Sequence, residues 1–326
     1  MSLILGIETS CDETGIALVE DGRRVLANEI LSQVDIHKAF GGVVPEIASR
    51  QHTTSISQLT QVIMEQAPRP VDAVAATAGP GLMGSLLVGL SFAKGLSMAW
   101  GVPLVPVHHL EGHIFSAFLG DNPPEFPFLT LIVSGGHTML IWCEKPHEYR
   151  LLGTTRDDAV GESFDKVARL LGLPYPGGPS IQEAAQTGNP AAFDLPRAMA
   201  GKDTLDFSYS GLKTAVLYAI REKGEPNVAD MAASFQDAAI DILITKTKQA
   251  IKQTHARGLV VAGGVAANKL LRERLERDIP IPVSVPPFAY CLDNGAMIAA
   301  AADSLLAHGR VGDFRTNANP GLALIA

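Results

Sequence analysis

The chain has 326 residues, of which 47% are apolar and 18% charged, with a formal net charge of −8. This length suits two domains better than one core, and this composition excludes a disordered chain. The negative charge argues against a broad nucleic-acid surface of the chain's own, so a nucleic-acid substrate would require local basic groups or partner proteins.

Neither targeting signals nor cysteine motifs are recognisable. The N-terminal residues lack a basic and then apolar leader with a cleavage site, and the apolar runs are too short to span a bilayer, so we expect a cytoplasmic protein. The three cysteines Cys11, Cys143 and Cys291 lie far apart and form no CxxC pair. The sequence therefore predicts neither a disulfide framework nor a thiolate metal site.

The predicted elements of the first half alternate between strands and helices. Apolar runs flanked by polar turns predict strands, and apolar residues spaced three or four apart predict helices. We expect strands at 3–8, 15–20, 24–31, 72–77 and 102–107, and helices at 45–67 and 83–100.

The second half repeats the opening pattern of strand, small polar turn and strand. Predicted strands cover 127–133 and 137–143, and residues 156–256 are predicted to be mostly helical. A strand at 258–262, a helix at 266–277, a strand at 282–285 and a final helix at 293–308 follow. Alternating strands and helices predict an α/β protein.

Small-residue turns follow three of the predicted strands, at residues 9–14, 134–136 and 263–264. Backbone N–H groups in such turns suit phosphate oxygens, although Gly-Gly is also common in turns without a ligand. Their order resembles the layout of the actin/Hsp70/sugar-kinase superfamily. The sequence contains neither a Walker loop nor GxGxxG, so it favours neither P-loop nor Rossmann binding.

The stretch His108-His-Leu-Glu-Gly-His113 places His109 and His113 four residues apart. On a helix these residues share a face and can bind one metal ion, and neutral imidazole suits Fe(II), Zn, Ni or Cu. The alternative is that both side chains pack against or cap a buried helix start. A metalloprotease would require HExxH, but Leu110 stands where the catalytic glutamate should be.

Three acidic residues are further candidates for the site. Asp293 is a candidate third metal ligand or, alternatively, the N-cap of the final helix. Asp12 and Glu13, in the first turn, are candidates for assisting proton removal or for simple turn capping. Residue chemistry alone leaves both alternatives open.

Seven motifs together resemble the bacterial TsaD family of tRNA threonylcarbamoyladenosine synthases. The resemblance covers almost the whole chain, and no motif of the family is missing. The motifs are Ile7-Glu-Thr-Ser-Cys-Asp-Glu-Thr-Gly15, Gly41-Gly-Val-Val-Pro-Glu46, Ala78-Gly-Pro-Gly81, His108-His-Leu-Glu-Gly-His113, Val133-Ser-Gly-Gly-His-Thr138, Phe164-Asp-Lys166 and Gly263-Gly-Val-Ala-Ala-Asn268.

The resemblance implies a two-lobed actin-like α/β fold in which each lobe is RNase H-like. The expected lobes are residues 1–126 and 127–326, with the helix after about residue 293 able to pack back on the first lobe. It also implies one divalent metal ion, Fe(II) first and Zn possible in a purified sample, bound by His109, His113 and Asp293. The expected contacts to threonylcarbamoyl-AMP are Ile132, Val133, Ser134, Gly135, Gly136, Asp165, Gly178, Glu183 and Asn268.

The resemblance further implies the reaction and its partners. The family transfers threonylcarbamoyl from threonylcarbamoyl-AMP to the exocyclic amine of the adenosine 3′ of the anticodon, in tRNAs reading ANN codons. It works with TsaB, a paralogue of the same fold, and with the ATPase TsaE, while a YrdC-type enzyme supplies the adenylate.

Two other functions are compatible with the same fold. A non-catalytic scaffold paralogue would be expected to lack the histidine pair, which this chain has. A small-molecule kinase of the actin superfamily typically carries Asp where this chain has Glu8. The endopeptidase activity once assigned to the family is disfavoured because HExxH is absent.

Overall fold

The computed structural model describes residues 1–199, 201–223 and 227–325. The chain forms two compact units: Met1–Pro123 together with Pro286–Ala326, and Pro124–Val285. Within the described ranges, none of the helices combines the length and apolar character that a membrane crossing requires.

The first unit contains five strands and five α-helices with short 3-10 turns between them. Its strands are β1 (Leu3–Glu8), β2 (Glu13–Glu20), β3 (Arg24–Ser32), β4 (Ala73–Gly79) and β5 (Leu104–His108). Its α-helices are α1 (Val34–His37), α2 (Pro45–Met64), α3 (Met83–Trp100), α4 (His109–Ser116) and, from the end of the chain, α10 (Gly295–Ala307); the 3-10 turns are Lys38–Phe40, Ala117–Leu119 and Phe288–Tyr290.

The first sheet has the order β3-β2-β1-β4-β5, with β1 antiparallel to β2 and parallel to β4. Leu5 and Ile7 belong to a core that includes Ile56 of α2 and Leu90 of α3. Since side chains alternate along a strand, Gly6 faces the opposite side, where α10 packs so closely that a Cβ there would lie 2.2 Å from the Gly295 carbonyl oxygen.

The second unit contains β6 (Phe128–Val133), β7 (Thr138–Lys145), β8 (Glu148–Thr154), β9 (Leu259–Ala262) and β10 (Val283–Ser284). Its helices are α5 (Val160–Leu170), α6 (Gly177–Ala185), α7 (Ser210–Lys223), α8 (Val228–Thr254) and α9 (Lys269–Asp278), with a 3-10 turn at Gly264–Ala267. The sheet order is β10-β9-β6-β7-β8, so it repeats the topology of the first sheet.

Most predicted elements are present, with shifted ends. The predicted helix 83–100 is α3, whereas the predicted helix 45–67 ends at Met64. The predicted helix 266–277 is a 3-10 turn followed by α9, because Asn268 has extended backbone and caps α9. Strand β8 was not predicted, although it corresponds to β3 in the order of the sheet.

The division of the chain differs from a simple split after residue 126. Residues 286–326 belong to the first unit, and the boundary between the units falls at Pro123 and Pro124. The physical reason is that α10 packs on β1, β2 and α4. The expectation that the final helix can pack back on the first lobe is consistent with this arrangement.

Candidate functional site

The histidine pair lies at the start of α4, directly after β5. The centroids of the two imidazole rings are 4.7 Å apart, and the ring planes are nearly perpendicular. Both rings therefore occupy one face of the helix, as the spacing predicted. His109 is 7% exposed and His113 is fully buried. Gly112 allows α10 to approach, because a Cβ there would lie 2.8 Å from Ile298 Cδ1.

Asp293 faces this pair. Its Oδ1 lies 3.2 Å from His113 Nε2 and 3.7 Å from His109 Nε2. The alternative of a helix N-cap is wrong, because Asn294 is the N-cap and its Oδ1 accepts from the Met297 N–H at 2.9 Å. The neighbouring Asn294 therefore caps the helix while Asp293 is directed to the imidazoles.

These three side chains fit a metal ion. Their ligand atoms all lie within 4.8 Å of one another, and N and O ligands about 2.0–2.2 Å from one ion would be roughly 3–4 Å apart. Among the described residues, neither ring nitrogen of His113 makes a hydrogen bond, although both are buried. Two histidines and one carboxylate that leave open positions are typical of catalytic Fe(II) and zinc centres.

Glu8, the last residue of β1, contacts the Nδ1 atom of His109. Its Oε2 lies 3.1 Å from His109 Nδ1 and accepts from Thr77 Oγ1 at 2.6 Å. A proton on Nδ1 leaves Nε2 free to face Asp293, which is the carboxylate–histidine arrangement common behind metal ligands. Ser10 Oγ also lies 3.1 Å from Nδ1.

The charges of Glu8, His109 and Asp293 are strongly coupled. Burial alone would raise the pKa of Glu8, but the adjacent His109 more than offsets this and the net shift is downward. Burial lowers the pKa of His109, whereas Asp293 and Glu8 raise it to about 9 overall. A cation is therefore stabilised at this position, whether it is a proton or a metal ion.

Asp12, in the first turn, and Glu13, the first residue of β2, lie within the electrostatic influence of Asp293. Burial, then Asp12 and Asp293, raises the pKa of Glu13 well above its usual value. The same groups raise the pKa of the Cys11 thiol. Burial and these carboxylates thus hold Glu13 and Cys11 toward their neutral forms, and a cation bound nearby would offset the repulsion.

The second unit presents the predicted turn at the end of β6. The Ser134 N–H donates to the His137 carbonyl at 2.8 Å, and Ser134 Oγ accepts from the His137 N–H at 3.0 Å. Gly135 and Gly136 are exposed, and a Cβ at either would meet nothing within 4 Å. Their backbone is therefore accessible to a ligand.

The side chains of Ile132 and Val133 are fully buried in β6. They can support the turn from below, but only their backbone can contact a ligand. Gly263 packs against them: its φ is +96°, and a Cβ there would lie 2.5 Å from the Val133 carbonyl oxygen. The second predicted glycine turn is thus folded directly onto the first.

Asp165 and Gly178 are close because α5 and α6 meet at a glycine. Asp165 Oδ1 accepts from the Gly177 N–H at 2.7 Å, and a Cβ on Gly177 would lie 2.5 Å from Asp165 Cα. Gly178 is half-buried with open space at its Cβ position. The two predicted residues therefore lie beside each other at the start of α6.

Asn268 and Glu183 lie on neighbouring helices, α9 and α6. Asn268 caps α9 through its Oδ1, which accepts from the Leu271 N–H at 3.0 Å, and its Nδ2 donates to Gln236 at 2.9 Å. The Lys269 N–H donates to Gln182 at 2.7 Å, so α6 lies beside the start of α9. Glu183, the next residue of α6, is exposed.

The sequence interpretation missed the residues that support the metal ligands. Glu8 and Ser10 were noted there only within the first motif, Glu8 also as a contrast with kinases, and no role was predicted for them or for Thr77. The available signal was an ionisable residue at the end of an otherwise apolar strand, since a carboxylate is rarely buried without a partner.

The sequence matches a known protein family over most of its length. Residues 24–300 match the family model described as TsaD: tRNA N6-adenosine threonylcarbamoyltransferase. A protein of that name from Geobacillus thermodenitrificans is 50% identical, over 99% of this chain and 97% of its own. The protein of the same name from Thermomicrobium roseum is 49% identical, over 99% of this chain and 97% of its own. That from Anaeromyxobacter dehalogenans is 48% identical, over 99% of this chain and 100% of its own.

Solved structures support the fold alone. Full-length HypF, in a phosphate- and nucleotide-bound form, matches with a TM-score of 0.64 at 13% identity, over 95% of this chain and 56% of its own. The activator of 2-hydroxyisocaproyl-CoA dehydratase from Clostridium difficile matches with a TM-score of 0.55 at 12% identity, over 96% and 99%. The fold is thus of the actin-like ATPase class, as predicted from the sequence. By its sequence over nearly the whole length, the chain belongs to the TsaD family of tRNA N6-adenosine threonylcarbamoyltransferases.

Proposed function

We propose that the protein transfers threonylcarbamoyl from threonylcarbamoyl-AMP to the exocyclic amine of the adenosine 3′ of the anticodon, in tRNAs reading ANN codons. The observation that carries this proposal is the convergence of His109, His113 and Asp293 in a member of this family. In the reaction the amine nitrogen bonds to the carbamoyl carbon, the bond from that carbon to the phosphate oxygen breaks, AMP leaves, and the amine loses a proton.

One divalent ion is proposed at the three ligands, Fe(II) in preference to Zn, which can occupy the site in a purified sample. When bound, such an ion supplies Lewis-acid polarisation and orientation of the threonylcarbamoyl group. Glu8 keeps His109 in the tautomer that presents Nε2. Among the described residues, the lack of hydrogen bonds on the His113 ring supports a ligand role for it.

The donor is proposed to bind to the second unit through residues 132–136, Asp165, Gly178, Glu183 and Asn268. The exposed backbone at Gly135 and Gly136 suits phosphate or carbamoyl oxygens. Asp165 is suited to accept from ribose hydroxyls, and Asn268 to contact the nucleoside. Ile132 and Val133 contribute backbone atoms only, since their side chains are buried.

Asp12 and Glu13 stay the candidates for accepting the proton that the amine loses. Asp12 lies in the first turn and Glu13 begins β2, and both act on the Cys11 thiol together with Asp293. A variant series separates them: Asp12→Asn or Glu13→Gln should slow transfer without removing the metal if the residue accepts the proton. Loss of metal content would instead assign the residue to metal binding.

The acidic charge of the chain suggests that partners complete the tRNA surface. We propose TsaB and TsaE as these partners, tRNA as the acceptor substrate, and a cytoplasmic location. The scaffold alternative is disfavoured by the three converging ligands, and the kinase alternative by the position of Glu8 behind His109.

Single-turnover transfer tests the proposal. The protein is mixed with TsaB, TsaE, ATP, threonylcarbamoyl-AMP and unmodified tRNA, and the digested tRNA is analysed for threonylcarbamoyladenosine. We expect product from the wild type and from His255→Asn, which replaces an exposed histidine with φ +53°. We expect none from His109→Ala/His113→Ala. A folded wild-type chain that gives no product beside an active control synthase would refute the proposal.

A further inference from the structure

The C-terminal segment, defined as residues 311–322, lies along the open edge of the first sheet. It follows α10 and contains no helix or strand. The Gly312 N–H donates to the Leu104 carbonyl at the start of β5 at 2.8 Å, and the Asn319 N–H donates to the Ala78 carbonyl in β4 at 2.8 Å. Since β5 is the last strand of the sheet, the segment covers an edge that would otherwise present unpaired backbone groups.

The fit between the segment and the end of β4 is close enough to require glycine. Gly79 has φ +153°, and a Cβ there would lie 2.0 Å from the Asn319 carbonyl oxygen. The Gly81 N–H donates to the Pro320 carbonyl at 3.3 Å. The path of the segment over the end of the sheet is therefore fixed by backbone contacts on both sides of Asn319.

The segment then reaches His108, the residue directly before the first metal ligand. His108 Nε2 lies 3.0 Å from the Leu322 carbonyl oxygen, and His108 Nδ1 accepts from the Leu110 N–H at 3.1 Å. A carbonyl can only accept and a backbone N–H can only donate. The ring must therefore be neutral with its proton on Nε2, and the Leu322 carbonyl stabilises that tautomer.

This tautomer is the one that caps α4. His108 is the N-cap residue, and its Nδ1 satisfies the second N–H of the helix, a position usually served by Ser, Thr, Asp or Asn. With the proton on Nδ1 instead, two N–H groups would face each other and the cap would be lost. The first turn of α4 carries His109, so the cap sets the orientation of a metal ligand.

We propose that the C-terminal segment is a positioning element of the metal site, acting through the Leu322 carbonyl and the His108 ring on the first turn of α4. The inference rests on the proposed metal site at His109, His113 and Asp293. It assigns to residues far from the histidine motif in the sequence a role in metal geometry, and it explains why a histidine, rather than a smaller cap residue, precedes His109.

Two truncations isolate the contact. A chain that ends at Gly321 lacks the Leu322 carbonyl, whereas a chain that ends at Ala323 keeps it as an amide. Co(II) is added alone to the full chain and to each truncated chain. Titration gives the Co(II) affinity, and the visible absorption bands report the geometry of the ligands. We expect the chain ending at Gly321 to bind Co(II) about tenfold more weakly with altered bands, since supporting contacts are worth roughly 10–100-fold in metal affinity. The chain ending at Ala323 should match the full chain.

A double-mutant cycle with His108→Ala distinguishes positioning from general destabilisation. If the segment acts through His108, truncation at Gly321 has no further effect on Co(II) binding in the Ala variant. His108→Asn, which keeps an oxygen acceptor for the Leu110 N–H, should restore affinity to within about threefold of wild type. Circular dichroism confirms that each variant is folded.

The outcomes separate this inference from the proposed function. If truncation weakens binding equally with and without His108, or leaves the affinity and the bands unchanged, the positioning role is refuted while the metal site stands. If the full chain binds no Co(II), the proposed metal site itself fails. If His108→Asn behaves as His108→Ala, capping is not the means by which the segment acts.

Discussion

The two units have the same strand order but different chemistry at corresponding strand ends. In the first unit, β1 ends in the buried carboxylate Glu8, the turn to β2 carries Asp12, and β2 begins at Glu13. In the second unit, β6 ends in the buried Val133, and the turn to β7 carries the exposed Gly135 and Gly136. The first arrangement concentrates carboxyl groups, and the second exposes the backbone of two glycines.

This difference gives one topology two strand ends that suit ligands of opposite charge. Carboxylates beside imidazoles favour a cation: burial lowers the pKa of His109, but Asp293 and Glu8 raise it to about 9 overall. Exposed backbone in a glycine turn favours an anion, since no side chain of the glycines blocks its approach. The fold provides the strand ends, and the residues placed there decide which charge is favoured beside them.

Away from these turns, the second unit pairs its charges with fixed cations. Arg274 lies 2.8 Å from Asp241 and 2.6 Å from Asp278, and Arg197 lies 2.8 Å from Asp237 and Asp241. Burial would raise the pKa of Asp241, but Arg274 and Arg197 more than offset this and lower it. The carboxylates of this network are neutralised by arginines of the same unit, whereas no such cation neighbours Glu13 among its perturbing groups.

The largest effect should follow from removing the cation ligands of the first unit. His109→Ala/His113→Ala should lower metal affinity by more than about 100-fold, since loss of merely supporting residues costs 10–100-fold. Metal content after dialysis and transfer activity are the measurements. The control variant His255→Asn should retain its metal content and its transfer activity. If the double variant also retained them, a cation site in the first unit would be refuted.

The substitution Glu8→Gln should cause the next largest loss of metal affinity. The amide keeps an oxygen but loses the charge that stabilises the His109 N–H, so metal affinity should fall by about 10–100-fold. Binding of a nucleotide to the second unit should be unchanged. Glu29→Gln, an exposed change on β3 of the same unit, is the control, and equal losses in the two variants would argue against a specific role of Glu8.

Gly263→Ala should damage the second unit alone. The methyl group would meet the Val133 carbonyl at a position with φ +96°, a strain worth about 1–3 kcal/mol. Affinity for threonylcarbamoyl-AMP and the free energy of unfolding should fall, while Co(II) binding should persist. Gly258→Ala, where the nearest atom would be 3.8 Å away, should have little effect on either. Loss of Co(II) binding in Gly263→Ala would contradict the assignment of separate ligands to the two units.

The smallest effect concerns the ion pairs of the second unit. Because the folded pKa of Asp241 is lowered, its pairing stabilises the protein above the unfolded pKa, about 3.9, and this contribution is lost as pH falls through the folded value. Arg274→Ala should therefore cost about 1 kcal/mol at pH 7 and less at pH 3. Urea unfolding at both pH values measures this, with the exposed Arg257→Ala as control. A cost that grows on acidification would contradict the ion-pair explanation.

Much of the fold and the histidine pair could be predicted from the sequence because their signals are local. Apolar periodicity places α3 at its observed bounds, and a spacing of four residues places His109 and His113 on one face. The motifs around residues 108–113 and 133–138 are also contiguous in the chain. Strand β8 was missed because an exposed edge strand carries a weak apolar pattern.

The sequence by itself determined the element types, the repeated strand–turn–strand pattern, and the candidate residues for metal and donor. Only the tertiary structure decided that Asp293 faces the histidines while Asn294 caps α10, and that Glu8 lies behind His109. It also brought the Leu322 carbonyl to His108, across more than two hundred positions of chain. The physical reason is that capping and helical periodicity depend on neighbours a few residues away, whereas the partners of a buried polar group are set by how distant segments pack.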